Sequence, residues 1–235
     1  MARTKTQFRN RILQKLVETD PALVRDGLSP VELPFRKSLQ AVGGPISEIY
    51  FVEHGIISVV AANGRQRKPV EVGLIGHEGC TGVELILHDD RSQHDVYVQV
   101  AGEGYRLPAK LLMTAIGESA SFRRMLLRFA ATFLIQVTET ALANGSATID
   151  ARLARWLLMA NDRMEADALP FTHEFLALML GVRRAGVTLA IQELARDGLI
   201  DSRRGKVSII DRKGLVDRAA GTYGRAHAEL QRLLG

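Results

Sequence analysis

Five basic side chains in the C-terminal part of the chain carry the chemistry that its sequence most clearly offers. Arg183 and Arg184 are adjacent, and Arg203, Arg204 and Lys206 follow farther along. A guanidinium group can donate two parallel hydrogen bonds to a guanine edge, and both kinds of cation bind phosphate. Taken singly, each cation is more simply explained as a solvated surface charge. Their grouping, at the start of a predicted helix and the tip of a predicted hairpin, instead predicts contact with double-stranded DNA.

The segment 169–200 supplies the elements that must position these cations. Pro170 cannot continue a preceding helix, and the hydroxyl of Thr172 can accept from a free backbone N–H of a new one. Gly181 permits a sharp turn, after which a second helix begins near Arg183. This order predicts a helix-turn-helix, whose second helix places its N-terminal residues in the major groove.

The second helix has an apolar face and a polar face. Val187, Ile191 and Leu194 are spaced to face inward, which leaves Thr188 and Gln192 outside together with the two arginines. The sequence therefore predicts the following DNA-binding residues: Thr172, His173, Arg183, Arg184, Gly186, Thr188, Arg203, Arg204 and Lys206.

A hairpin follows the second helix. Asp197-Gly198 ends the helix, residues 203–206 form a tight basic turn, and residues 207–210 run back as a strand. We interpret this hairpin as a wing. Its cations would meet phosphates, which position a protein on DNA without specifying a base sequence.

The N-terminal half is typical of short antiparallel strands. Four segments are rich in Val, Ile and Tyr and are separated by turn formers: 46–52, 56–61, 70–75 and 96–100. Asn63-Gly64 predicts a hairpin turn, because both residues tolerate positive φ. The regular spacing favours a sandwich or roll over a parallel sheet. A short helix over residues 8–17 precedes it.

A long helix is predicted from about Ser119 to Asn144, where no proline or glycine interrupts the chain. Spacings of four and three alternate along one seam, made of Phe122, Leu126, Phe129, Phe133, Gln136, Thr140 and Ala143. Two interpretations stay open: a helix packed on its own roll, or a parallel dimer helix. Asn144-Gly145 predicts a stop and a hinge. In the next helix, over 149–163, Trp156 is expected to be a core anchor.

Composition limits the class of protein. The 235 residues carry a net charge of +5, which suits a nucleic-acid partner without deciding for one. The single cysteine, Cys80, excludes an internal disulfide and a cluster held by four cysteines. Residues 1–20 do not resemble a secretory signal, and no run reaches the roughly 18 apolar residues of a membrane span. We therefore expect a cytoplasmic protein with no membrane partner.

These elements predict an α+β fold in three parts. Residues 1–118 form an N-terminal double-stranded β-roll (jelly-roll) sensor domain, and residues 119–145 form a long dimerisation helix. Residues 146–235 form a C-terminal winged helix-turn-helix domain.

This order resembles the Crp/Fnr family of bacterial regulators over essentially the whole chain. The specific resemblances lie in residues 49–59, 73–79, 152–158 and 172–200. The resemblance implies a homodimer paired through the long helix, and a ligand or cofactor in the roll that reorients the two reading heads. It also implies that an activator of this kind would contact RNA polymerase.

The resemblance assigns roles to individual residues as well. Arg184 falls where the family places its principal base-contacting arginine. Arg183 and Thr172 fall at backbone-contacting positions, and Lys206 matches a phosphate contact of the wing. Ala185 and Leu189 depart from the family pattern, since a base-contacting glutamate and a second arginine stand there in some members. The preferred DNA site should therefore differ from the familiar one.

The sensor region departs further. A cyclic-nucleotide pocket in this family needs a Gly-Glu-Leu turn and then an Arg-Ser pair. Arg91-Ser92 lies too close to Gly82 and ahead of the strand where that pair belongs, so we do not expect cyclic AMP. The chain lacks the N-terminal cysteine cluster of oxygen-sensing relatives, so we expect no iron–sulfur cluster. The effector stays unidentified.

Two other classes of function fit parts of the sequence. A cupin-like metal enzyme would need a His-x-His pair, which the six histidines do not supply, although His88-Asp89-Asp90 with His94 and Asp95 could bind a divalent ion. A non-catalytic module could use its helix-turn-helix for protein contacts. The sequence favours a regulator over an enzyme, because no nucleophile elbow or phosphate-binding glycine loop is present.

Overall fold

The computed structural model describes residues 8–19, 27–61, 69–164, 168–203 and 205–234. Its backbone divides into two compact units. The first contains residues 1–57, 75–131 and 232–235, and the second contains 58–74 and 132–231. The three-part boundaries expected from the sequence stay a prediction. Asn63-Gly64 and Arg204 lie outside the described residues.

Antiparallel strands form the sheet of the N-terminal half. They are β1 (Ser29–Leu33), β2 (Ser38–Gln40), β3 (Glu48–Ala61), β4 (Val70–Ile75) and β5 (Asp95–Pro108). The strand order is β1-β5-β3-β4, and β2 also pairs with β5. Ser29 lies opposite Arg106 and Leu33 opposite Gly102, which sets the register of β1 on β5. The predicted sheet-rich N-terminal region is confirmed.

The turn formers that separate the predicted strands 46–52 and 56–61 are Glu53-His54-Gly55, and the turn expected there is wrong, because β3 runs through these residues as one strand. Gly55 has a φ of 99°, and a Cβ there would lie 2.6 Å from the backbone oxygen of Val100. Glycine thus serves a close approach of two backbones, and the strand continues without reversing. The two strands predicted at 46–52 and 56–61 are therefore a single element.

Helices complete the first unit. They are α1 (Arg11–Thr19), α2 (Val83–Ile86), α3 (Ala109–Glu118) and the N-terminal half of α4 (Ala120–Ser146). Phe122, Leu126 and Phe129 of α4 share one apolar core with Phe51 and Leu112. Burial of such side chains contributes about 1.5–3 kcal/mol each. This half of α4 is therefore part of the core of the unit.

The seam predicted on α4 faces the interior of the chain. Six of its seven residues are buried and Thr140 is half-buried, so its apolar pattern reflects packing within the chain. The opposite face is exposed and carries a stripe of Leu127, Ala131, Leu134, Thr138 and Leu142. The helix also runs through Asn144-Gly145 to Ser146, so the predicted stop comes too early.

Among the described helices, α4 is long and apolar enough to cross a membrane by length and composition alone. It carries Arg123, Arg124 and Arg128, and its most apolar face is buried in protein. A buried apolar face, with charged residues elsewhere on the helix, is typical of a core helix.

The second unit holds residues 58–61 of β3, residues 70–74 of β4, the C-terminal half of α4 and the elements that follow α4. The elements that follow are α5 (Ile149–Met164), α6 (His173–Leu180), α7 (Arg184–Arg196), β6 (Ile200–Arg203), β7 (Lys206–Ile209), α8 (Arg212–Arg218) and α9 (Arg225–Leu234), the last continuing beyond the unit. Trp156 is 3% exposed and meets the rings of Phe171 and Phe175 edge-on, at 4.8 and 5.9 Å. The expected core anchor is confirmed.

Candidate nucleic-acid interface

Helix α6 and the turn after it have the predicted local chemistry. The Oγ1 atom of Thr172 accepts from the backbone N–H of Phe175 at 3.2 Å, which caps the helix. Gly181 adopts a φ of 64° and its N–H donates to carbonyls of the last turn. A residue with a Cβ would be strained at this φ, so glycine here sets the sharp turn that leads to α7.

Helix α7 is held from behind by the residues that the periodicity selected. Val187, Ile191 and Leu194 are buried, and the helix begins at Arg184 with Arg183 as its N-cap. An arginine side chain has no acceptor, so Arg183 does not cap this end of the helix with its side chain. The outer face carries Arg184, Ala185, Leu189, Gln192 and Arg196, all exposed.

A pair of hydrogen bonds joins α6 to α7. The hydroxyl of Thr188 donates to the carbonyl of Arg184 at 3.1 Å, and its oxygen lies 3.0 Å from Nδ1 of His173. Which of the two groups donates in the second bond depends on the tautomer of the histidine ring. Two of the predicted DNA-binding residues, His173 and Thr188, thus fix the start of α6 against the outer side of α7.

The wing reaches the same place. Strands β6 and β7 pair antiparallel, and Leu169 exchanges two backbone hydrogen bonds with Val207, at 2.7 and 2.9 Å. A Cβ on Gly205, at the wing turn, would lie 3.9 Å from Cγ2 of Thr172. The wing turn, the start of α6 and the N-terminal half of α7 therefore form one surface, which we call the recognition surface.

Positive charge on the recognition surface is exposed. The side chain of Arg184 is 69% exposed, and its Nε lies 3.9 Å from a carboxylate oxygen of Glu174, itself largely exposed. A pair of this kind stabilises by roughly 0–1 kcal/mol, so it does not hold Arg184 away from a ligand. Arg183 and Lys206 are exposed too, and Arg203 pairs with Asp201 at 3.0 Å. The sequence pattern does not reveal the two carboxylates, those of Glu174 and Asp201.

Gly186 has a packing role in the structure. A Cβ at this position would lie 2.9 Å from Cδ1 of Ile149, so the glycine lets α7 approach α5 closely. Its contact with DNA stays a prediction.

The second unit also contains a buried cation that the sequence pattern did not reveal. Arg155 is 4% exposed and donates to the carbonyls of Thr222 and Gln136 and to Oγ1 of Thr140, at 2.7, 3.2 and 3.0 Å. Burial lowers the pKa of Arg155 to about 10, against the opposing influence of Glu139 and Glu71. The side chain therefore stays charged at neutral pH and ties α5 to α4.

A buried carboxylate, that of Glu71, is hydrogen-bonded to α5, the helix that carries Arg155. Glu71 accepts from the hydroxyl of Ser58 at 2.7 Å and from the indole N–H of Trp156 at 2.6 Å. The amide of Gln136 bonds both backbone groups of Leu74, at 2.7 and 3.1 Å. The adjoining cavity, lined by Glu71, Arg152, Arg155 and Trp156 among others, has a volume of about 20 Å³. It has room for about one water molecule and none for a larger effector.

The polar loop of the roll is occupied by its own contacts. Arg91 donates to the carbonyl of Gly43 at 3.0 Å, and the hydroxyl of Ser92 donates to the carbonyl of His94 at 2.7 Å. Nδ1 of His94 lies 3.0 Å from Glu84. Burial raises the pKa of Glu84, but hydrogen bonds from His94 and Gln93 outweigh this and hold the pKa below its usual value. Arg91-Ser92 is thus engaged with backbone groups.

Two further features of the roll concern metal binding and the single cysteine. Within the described residues, no three His, Cys, Asp or Glu side chains converge so as to hold a metal ion. Cys80 is fully buried, and burial raises the pKa of its thiol. A buried thiol with a raised pKa is inert as a nucleophile.

Comparison with known proteins identifies the type of domain. Residues 151–218 match the family model of the Crp-like helix-turn-helix domain. A search of curated proteins gives no match.

Similar solved structures share the fold along most of the chain. FixK2 from Bradyrhizobium japonicum superposes with a TM-score of 0.71 at 16% identity, covering 81% of this chain and 96% of its own. A CRP-family transcriptional regulator from Thermus thermophilus gives 0.66 at 20% identity, covering 81% and 97%. A putative Crp/Fnr-family transcriptional regulator from Eubacterium rectale gives 0.65 at 18%, covering 88% and 94%. The resemblance and the fold class that the sequence indicated are confirmed.

Proposed function

We propose that this chain, which has a Crp-like helix-turn-helix domain in residues 151–218 and the fold of the Crp/Fnr transcription regulators, is a homodimeric, sequence-specific DNA-binding regulator. The observation that carries the proposal is the recognition surface. There Arg184 is exposed at the start of α7, a helix whose opposite face is buried. It lies beside the start of α6 and the basic turn of the wing. Such a surface has the elements that a helix-turn-helix uses in the major groove.

The residues of the recognition surface have three different roles in the proposal. Arg184 donates two hydrogen bonds to the O6 and N7 atoms of a guanine. Arg183, Thr172 and Lys206 contact the phosphate backbone and set the register of the helix in the groove. His173 and Thr188 act mainly by holding α6 and α7 together, because their side chains already bond one another.

Dimerisation is proposed to use the exposed stripe of α4. Its residues follow one another at steps of four, three, four and four, which keeps them on one side of the helix and lets that side face a partner helix. Leu127, Leu134 and Leu142 supply the apolar contacts. A second copy packed there would give two recognition surfaces related by a two-fold axis. They would bind an approximately palindromic site in successive major grooves, about 34 Å apart.

A signal received by the roll would act by favouring one arrangement of the dimer. An effector can shift such an equilibrium only by its difference in affinity for the two arrangements. We place the protein in the cytoplasm, where its DNA would be, and an activating form would also contact RNA polymerase.

Selection of bound duplexes from a random DNA pool tests the proposal. The expected result is an inverted repeat with half-site centres about 10 base pairs apart and a guanine in each half-site. Affinity should fall steeply with salt, since each neutralised phosphate releases counterions. A pool without enrichment, or binding indifferent to salt, would contradict DNA binding. An enriched single half-site would contradict the dimer alone.

A further inference from the structure

One apolar side chain is exposed on the face of α7 that the proposed function assigns to DNA. Leu189 is 61% exposed, although Val187, Ala190 and Ile191 around it are buried. With 3.6 residues per turn, Ala185 and Leu189 stand one above the other on the side opposite the buried residues. Helix α7 therefore presents a short apolar strip where base edges would lie.

We propose that Leu189 contacts the 5-methyl group of a thymine and makes the protein select thymine at that position. This inference rests on the proposed function and adds to it a residue that determines specificity. Thymine is the base whose major-groove edge carries an apolar group. Guanine offers two acceptors there, cytosine a donor, and adenine one of each.

The neighbouring polar groups do not provide an alternative contact at this position. The hydroxyl of Thr188 is committed to the Arg184 carbonyl and to His173, and Gln192 lies almost a turn farther along. A leucine placed over guanine or cytosine would remove water from polar edge atoms and return no hydrogen bond. Leu189 thus favours thymine and also disfavours the other bases.

The separation of Leu189 from Arg184 gives a position for the thymine. Five residues of helix span about 7.5 Å along the axis, at 1.5 Å per residue. Base pairs repeat about every 3.4 Å. The thymine should therefore lie about two base pairs from the guanine bound by Arg184, in each half-site.

The test removes the methyl group of a thymine from the DNA and, separately, truncates Leu189 in the protein. In the selected duplex each thymine is changed singly to uracil, which keeps every hydrogen-bonding group and lacks the methyl. Affinity is measured by fluorescence anisotropy for the full-length protein, for Leu189→Ala and for Leu87→Ala. Leu87 is a matched control, because it is also 61% exposed and belongs to the first unit.

One thymine per half-site should respond. Its change to uracil is expected to weaken binding of the unaltered protein and of Leu87→Ala about three- to fivefold, the value of one buried methyl. Leu189→Ala should bind the two duplexes about equally. Leu189→Arg, taken through the same selection, should enrich guanine where thymine stood, since arginine pairs best with guanine.

Three results would contradict the inference or its premise. Equal uracil penalties for the unaltered protein and Leu189→Ala at every thymine would overturn the inference and leave the proposed function intact. A Leu189→Arg motif identical to the original one would overturn it too. Absence of any selective, salt-sensitive binding by the unaltered protein would overturn the proposed function itself.

Discussion

Two regions of the second unit use charged groups in opposite ways. On the recognition surface, Arg183, Arg184 and Lys206 are exposed, and the ion pair between Arg184 and Glu174 is long and solvated. Around Trp156, the charged side chains of Arg155 and Glu71 are buried and bonded. The first arrangement keeps cations available to a ligand, whereas the second uses its hydrogen bonds to hold helices in place.

Arginines of the two regions should therefore affect different measured quantities, folding stability in one region and DNA affinity in the other. Removing a buried, bonded arginine should cost folding stability. Removing an exposed one should cost DNA affinity and leave stability nearly unchanged, because surface substitutions are usually within about 0.5 kcal/mol.

The largest effect is expected from Arg155→Ala. The change removes the guanidinium donor of the Thr222 carbonyl and one of the donors of the Gln136 carbonyl, which Thr140 also bonds, and it removes the charge that compensates Glu71. Breaking a buried charged network of this kind costs about 3–5 kcal/mol. Urea unfolding followed by the fluorescence of Trp156, the only tryptophan, measures it. Arg225→Ala, at an exposed position, is the control, and a loss below about 1 kcal/mol for Arg155→Ala would contradict the structural role.

The next effect should come from Leu134→Glu on the exposed stripe of α4. Leu134 is 65% exposed, so the folded subunit should tolerate the change. In a dimer it would bring two carboxylates together in an apolar seam, and like-charge juxtaposition costs several kcal/mol. Sedimentation equilibrium should show monomers for Leu134→Glu.

Leu87→Glu, at a similarly exposed site on the roll, should stay dimeric in the same experiment. If Leu134→Glu sediments like the unaltered protein, the stripe is not the dimer seam and another face of the chain must pair.

Arg184→Ala should have a moderate effect confined to the selected site. Loss of a bidentate contact to guanine costs about 1–3 kcal/mol and relaxes the preference at one base pair per half-site. Anisotropy titrations on the selected duplex and on random duplexes separate the two cases. Equal losses on both would reduce Arg184 to a phosphate contact, and Arg225→Ala should change neither.

Local signals account for the parts of this structure that the sequence could predict. Thr172, Gly181 and the spacing of Val187, Ile191 and Leu194 act within a turn or two, so the helix-turn-helix follows from them. Contacts between residues far apart in the sequence give no such local signal. The bond from Trp156 to Glu71 joins distant segments, and nothing in the helical period of α5 distinguishes Arg155 from a surface arginine.

Helix α4 illustrates the same limit differently. Apolar residues cover two of its faces, so periodicity selected the richer one, Phe122 to Ala143, and that face is used inside the chain. The poorer stripe from Leu127 to Leu142 is the exposed one. Likewise Gly55 and Gly145 are turn formers by type, yet a paired strand and a continuing helix override that tendency.

The smallest effect is expected from Lys206→Ala, and it separates positioning from specificity on the recognition surface itself. Lys206 lies on the wing, where we propose that it contacts phosphate and no base edge, so its loss should weaken binding to selected and random duplexes alike. One fewer neutralised phosphate should also make the slope of log affinity against log salt shallower by about 0.9. Lys110→Ala, an exposed lysine of the roll, should leave slope and affinity unchanged. If Lys206→Ala lost affinity for the selected duplex alone, the wing would contact bases. Specificity would then come from the wing as well as from helix α7.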